Sequence, residues 1–431
     1  MRRAVSLARN LAVACGVMAF LAPAMPAQAI PALPSDGLGT VGSKITTVTE
    51  DKNTPCEPGK TSLVDQPPEA VALLGIKKAW QLSRGKVVVA VVDSGVAASN
   101  VHLTDKVLPG ADLVESGDGR TDTAGHGTAI AGQIAAHEAE GSGLVGLAPA
   151  AEILPVRVYV DESNDSVKAG KQPDTTRTAA GVRWAAEHGA KIIVVAQSVI
   201  DNLPEMQSAV ESAAAAGALV VASAGNVPQE TNASPKEDPN APRYPAAYPQ
   251  ALSVTAVDAS GAPSDAVLHG EHVEVAAPGS RVLTTFLGDG DCILAGDKPS
   301  TSYATGYVAA AAAMVAAMHP GETPAEWKYR LLATALRPSR SQRDAKIGWG
   351  LIAPYDALNF SNDGSLEGPP NPRFSAPAKA ENPGMTPPES VPDLRPMRTI
   401  SLGIIAGTAC LVVLAVLLSS RVRDLLSRKS R

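Results

Sequence analysis

Five stretches of this 431-residue chain are runs of apolar, largely β-branched residues with little polar interruption. They read KVVVAVVD (86–93), AEILPVRV (151–158), KIIVVA (191–196), ALVVASA (218–224) and ALSVTAV (251–257). A strand with one wet face alternates apolar and polar residues, whereas a continuous apolar run belongs to a strand buried on both faces. Helical stretches separate several of them, notably TTRTAAGVRWAAEHG (175–189) and LPEMQSAVESAAAAG (203–217). This alternation predicts an α/β fold, a three-layer domain whose mostly parallel central sheet is covered by helices on both sides. Aromatics make up only 3%, so the core is built from Ala and Val, which suits helices packed close on such a sheet.

Two polar, proline-bearing segments, 160–174 and 227–245, break the rhythm and are read as long loops. Thr323-Pro324-Ala325-Glu326 is a capping box with proline at the first helical position, opening a helix around Trp327.

Both ends carry targeting signals. Arg2, Arg3 and Arg9 precede or flank an apolar run over 11–21, and Ala27-Gln28-Ala29 fits the small-x-small cleavage rule, so 1–29 is read as a signal peptide. Near the other end, TISLGIIAGTACLVVLAVLL (399–418) would span about 30 Å as a helix, the thickness of a bilayer's hydrocarbon core. A transmembrane helix is therefore placed at 399–420. Arg421, Arg423, Arg428, Lys429 and Arg431 follow it, against Arg395 and Arg398 before it. The positive-inside rule puts the tail, 421–431, in the cytoplasm and the large domain outside the cell membrane, with a single pass. Between these ends the chain divides into an irregular extension (30–68), a domain (69–358) and a Pro-rich linker (359–398).

Cys15 falls in the leader and Cys410 in the span, which leaves Cys56 and Cys292 exported to an oxidising compartment, where they are expected to pair. Four scattered cysteines supply neither a Cys-rich scaffold nor a zinc site. A net charge of −6 gives no reason to expect a nucleic-acid partner.

Four residues stand out as candidates for chemistry. Asp93 ends the first apolar run, and the carboxyl ends of parallel strands are where α/β sheets place functional groups, although a lone aspartate there is more often a turn cap. His126 sits between Gly125 and Gly127 and is followed by Thr128, in the local pattern GHGTAIAG. Asn226 closes ALVVASAGN, where it is either a plain turn residue or an amide aimed at a developing oxyanion. Ser302, in STSYATG, precedes an alanine-rich helix and by itself reads as an N-cap. His137 in HEAE lacks the second histidine of a zinc-protease motif and is read as a solvated helix end.

Taken together, the four residues run Asp, His, Asn, Ser, and Asp…His…Ser is the chain order of the subtilisin triad. DSG, GHGTAIAG, SAGN and TSYA resemble the signature blocks of subtilisin-like serine proteases, with AAPG (276–279) and YPAAYP (244–249) as secondary blocks. The resemblance covers roughly 69–358 and implies a subtilisin-like fold and a serine endopeptidase acting on protein or peptide substrates. It assigns Asp93, His126 and Ser302 to the triad and Asn226 to the oxyanion site, with no metal or organic cofactor. The signal peptide, cysteine-bearing extension, linker and single span together resemble the mycosins, membrane-anchored subtilases of type VII secretion systems. That likeness implies membrane components of such a system as partners.

Three positions depart from the family pattern. Ser300 stands for the glycine of Gly-Thr-Ser, Gly306 for a proline and Val194-Val195-Ala196 for an Asn-x-Ser on the substrate-binding strand. Ser300 adds a side chain beside the oxyanion site, and Gly306 is expected to loosen the helix start. These changes favour a second reading, a catalytically weak or inactive subtilase that serves as a structural subunit. A third is a general cell-surface protease unconnected with secretion machinery.

Overall fold

The computed structural model describes residues 56–227, 241–374 and 395–428. The predicted leader, the extension up to residue 55, residues 228–240 of the second polar loop, linker residues 375–394 and the tail from 429 lie outside them.

Each of the five apolar runs forms a strand: β1 (Val88–Asp93), β3 (Glu152–Arg157), β4 (Ile192–Val195), β5 (Leu219–Ser223) and β6 (Leu252–Val257). With the short β2 (Ala111–Asp112) and β7 (Val275–Pro278) they make a parallel sheet in the order β2-β3-β1-β4-β5-β6-β7. Val89 and Val91 belong to the core on one side of the sheet, Ala90 and Val92 to the core on the other. That is the two-residue side-chain period of a strand with both faces covered. Helices α1 (His126–Ala135), α4 (Thr301–Met318) and α5 (Pro324–Thr334) contribute to the first core, and α2 (Thr175–Glu187) and α3 (Pro204–Ala215) to the second. The capping box at Thr323 and Glu326 is formed as expected.

Helix α4 is buried continuously from Ala304 to Ala316, and a helix apolar on every side belongs inside a core. Its alanines let it lie close to the sheet and to α1. A Cβ on Gly306 would stand 2.6 Å from Gln133 Oε1 on α1. Gly306 thus provides room for a neighbouring helix, and the expected loosening does not occur, since α4 runs unbroken from Thr301.

Two other expectations need correction. The 160–174 loop contains a short helix, Asn164–Lys168, capped by Ser163. His137 lies beyond the end of α1 rather than in it, and its carbonyl faces a buried histidine. AAPG contributes to a strand, β7, and an antiparallel hairpin of β8 (Val282–Thr285) and β9 (Asp291–Leu294) follows it. Near the C-terminus, helix α6 (Arg395–Arg428) contains one segment, Gly403–Val422, long and apolar enough to cross a membrane.

The hairpin holds the start of the described chain. Cys56 and Cys292 are disulfide-bonded across a separation of 236 residues. For so long a loop the chain-entropy model gives on the order of 5 kcal/mol, comparable with the lower end of a domain's total stability. Around the bridge, the Gly59 and Val64 amides donate to the Asp289 and Asp291 carboxylates, both at 2.9 Å.

Asp291 also meets His102, and both side chains are fully buried. His102 Nε2 lies 2.7 Å from Asp291 Oδ1, and Nδ1 lies 2.7 Å from the His137 carbonyl oxygen. A carbonyl only accepts, so Nδ1 carries a proton, and a carboxylate facing Nε2 draws a second. Burial opposes the charged ring, but the bond to Asp291 and the His137 carbonyl outweigh it and hold His102 above its ordinary value. A raised histidine stabilises the fold fully below the unfolded value of about 6.5 and loses that contribution as pH rises through its folded value. The urea midpoint of the full-length chain in detergent should therefore fall as pH rises above about 6.5, and His102→Gln should flatten that dependence. An identical pH profile in the variant would show that the pair carries no proton linkage.

Candidate active site

Asp93 ends β1 at the carboxyl edge of the sheet and is only 1% exposed. Three donors converge on its Oδ1: the Ser94 amide, His126 Nδ1 and the Tyr159 hydroxyl, each at 2.8 Å. Oδ2 is buried with no hydrogen-bond partner among the described residues. Burial pushes the carboxyl up, but the His126 charge and the three donors prevail and leave it below its ordinary value. For His126 burial acts downward and the Asp93 charge upward, and the net result is a raised value, with smaller help from Asp122 and Glu162.

His126 opens helix α1 after Gly125, whose φ of 86° is one that a side chain would strain. Gly127 is needed for a different reason, since a Cβ there would stand 2.1 Å from the Gly95 carbonyl oxygen. The loop before His126 hangs on buried Asp122, which accepts from the amides of Ala124, Gly125 and Thr128 and from the Thr128 hydroxyl. The Gly127 amide in turn donates to Ser94 Oγ at 3.0 Å, tying the start of α1 to the end of β1.

On the far side, Asn226 follows β5, and its Oδ1 accepts from the Thr301 amide (2.8 Å) and hydroxyl (3.0 Å). That fixes the amide plane, and Nδ2 lies 3.3 Å from Ser300 Oγ. Ser300, not Ser302, is the N-cap residue of α4, and its side chain makes no capping bond. Ser302 lies in the first turn and is half-buried, with no hydrogen bond from its hydroxyl to any described residue. His126, Asn226 and Ser302 line one open cleft of about 410 Å³, with Tyr159 and Gln197 also on its wall.

The cleft also corrects the expectation for β4. Val194 and Val195 are buried in the sheet, and the wall residues are Ala196, Gln197, Ser198 and Val199. The segment facing the cleft is thus Ala196-Gln197-Ser198, which retains a serine where the pattern Asn-x-Ser has one. Sequence reasoning missed Tyr159, Asp122 and Thr301. Tyr159 carried a usable signal, since it follows the end of β3 much as Asp93 ends β1.

The profile of the Subtilase family matches residues 84–350, more than half of the chain. The chain belongs to the subtilase family. Mycosin-3 of Mycobacterium tuberculosis is 31% identical to this subtilase over 401 residues, covering 83% of each chain. A solved structure of the MycP3 protease from the type VII (ESX-3) secretion system matches with a TM-score of 0.58 at 29% identity, covering 70% of this subtilase and 92% of that chain. A chain of an intact ESX-5 inner membrane complex matches with a TM-score of 0.59 at 25% identity, over 86% of this subtilase and 99% of that chain. These relatives bear out the likeness to mycosins that the sequence suggests.

With Asp93 neutralised, burial would act on His126 with less opposition. In this subtilase, Asp93→Asn should move the titration of His126 downward from its raised position, as read by NMR of isotope-labelled histidine rings. An unmoved titration would mean that Asp93 does not govern the imidazole.

Proposed function

We propose that the chain is a membrane-anchored serine endopeptidase in which Asp93, His126 and Ser302 form the triad and Asn226 donates to the oxyanion. The observation that carries this reading is the placement of the Asp93-bound imidazole, Asn226 and Ser302 on one open cleft. In it, Ser302 Oγ attacks the scissile carbonyl while His126 takes its proton, and the proton later passes to the leaving amine. Asp93 holds the Nδ1–H tautomer and balances the imidazolium that forms. The oxyanion is met by Asn226 Nδ2 and by the Ser302 amide, one of the first-turn N–H groups that a helix leaves unpaired. In the resting cleft Ser302 is not yet bonded to His126, and such contacts commonly tighten only when substrate is bound.

In the same proposal residues 421–428 lie on the cytoplasmic side, because of the arginine excess after the span. Components of a type VII secretion membrane complex are the proposed partners, supported by the match to a chain of the ESX-5 inner membrane complex.

Two outcomes are expected of the purified full-length chain. Ser302→Ala should lose covalent labelling by a fluorophosphonate together with peptide cleavage, while its far-UV circular dichroism stays unchanged. Asn226→Ala should keep the nucleophile but turn over about 10²–10³ slower, the loss known for removal of the oxyanion asparagine of subtilisin itself. Cleavage that survives Ser302→Ala overturns the assignment.

The second reading, a structural subunit, is favoured by Ser300 at the glycine position, whose hydroxyl already engages the oxyanion amide. Hydrolysis needs only the cleft, whereas holding a complex needs the outer surface and the anchor, which keeps weak contacts occupied by raising effective concentration. In a deletion strain complemented with each variant, Ser302→Ala should support export of the secreted substrate, and a chain truncated before Thr399 should do so poorly. Full rescue by the truncated chain, or none by Ser302→Ala, would make catalysis the main duty.

A further inference from the structure

Tyr159 is the one aromatic hydroxyl bonded to the Asp93 carboxylate among the described residues, and the triad chemistry does not use it. It stands just past the end of β3, the strand next to β1, so register pairing carries it to the same edge of the sheet. The residue is 6% exposed, and its hydroxyl donates to Asp93 Oδ1 at 2.8 Å while lying 3.5 Å from His126 Nδ1. Because Asp93 Oδ2 has no partner among the described residues, the phenol and the imidazole share one oxygen with the Ser94 amide. An oxygen with two lone pairs cannot satisfy three donors at full strength, so whatever the phenol draws is lost to the imidazole.

We propose that Tyr159 is a positioning residue that, through Asp93, weakens the hold of the site on the His126 proton and so extends the range in which the ring is a free base. The inference rests on the proposed triad for its catalytic consequence, but not for its physical content. Burial and the Asp93 charge push the phenol well above its ordinary value, so it stays a donor wherever the imidazole titrates. The other titratable groups that face this pair are Asp122 before α1, Asp161 and Glu162 after β3, and Tyr303 on α4, whose ring centroid is 5.8 Å from that of His126. All of them remain in a Tyr159→Phe chain, which differs only by the hydroxyl.

The test is the titration midpoint of His126 in the full-length chain in nanodiscs, read by NMR of ring-labelled histidine. It is measured in a Ser302→Ala background, with the signal assigned by its loss in His126→Gln. Tyr159→Phe should raise the midpoint by about one unit, roughly a tenfold loss of neutral imidazole below it. Replacing Tyr159 with a ring-fluorinated tyrosine, a stronger donor, should lower it. In the chain with Ser302 intact, the acid limb of fluorophosphonate labelling should move with the midpoint. A side chain that merely packs would change stability and leave the midpoint where it was. A midpoint unmoved or lowered in Tyr159→Phe overturns the inference, and if that variant does not fold, an unmoved midpoint in the fluorinated chain does so. Absence of labelling in the unmodified chain would sink the hydrolase reading instead, while the NMR midpoints would still decide the role of Tyr159.

Discussion

A carboxylate taken out of water costs several kcal/mol unless donors meet it, and Asp93 is taken out almost completely. Its donors come from its own strand end (Ser94), the start of α1 (His126) and the end of the neighbouring strand (Tyr159). Each must stay where it is for the charge to remain tolerable. The closeness of α1 to β1 follows, and with it the lack of room for a Cβ on Gly127. The candidate site is therefore held by the same interaction that makes its imidazole basic.

Two further buried carboxylates organise the same side of the molecule. Asp122 gathers four donors and shapes the loop that presents His126. Asp291 collects His102, Ser142 and the Val64 amide, next to the disulfide that fastens residue 56 to the hairpin. The described end of the extension, from residue 56, is thus tied both covalently and through hydrogen bonds to Asp289 and Asp291. Breaking one partner of such a network leaves the other charge buried and alone, which is costlier than the pair's net worth.

Helix α4 connects core and cleft. Its alanine-rich body is buried on all sides, so its position is set by packing rather than by the cleft. Its first turn then carries Thr301 to Asn226 and Ser302 to the cleft wall. The serine at 300 changes the immediate surroundings of the Asn226 amide, while Ser198 remains on the wall beside it. Within the cleft, the departures from the family pattern therefore touch the oxyanion side more than the side where Asp93 and His126 meet, while Gly306 lies in the core against Gln133.

The sequence by itself determined the layers, the strands β1 and β3–β6, the capping box at Thr323 and the apolar segment near the C-terminus, because these depend on local periodicity and composition. It also carried the four candidate residues, since the blocks DSG, GHGT, SAGN and TSYA are contiguous in the chain. The pairing of Cys56 with Cys292 was legible by elimination. Only the tertiary structure decided that Tyr159 shares an oxygen with His126, that His102 bridges Asp291 and the His137 carbonyl and that Gly306 makes room for Gln133. The same holds for the segment of the β4 region that faces the cleft. Tyr159 and Asp93 are 66 residues apart and His102 and Asp291 are 189 apart. Contacts over such separations are set by parallel register and helix packing, and no local pattern records them.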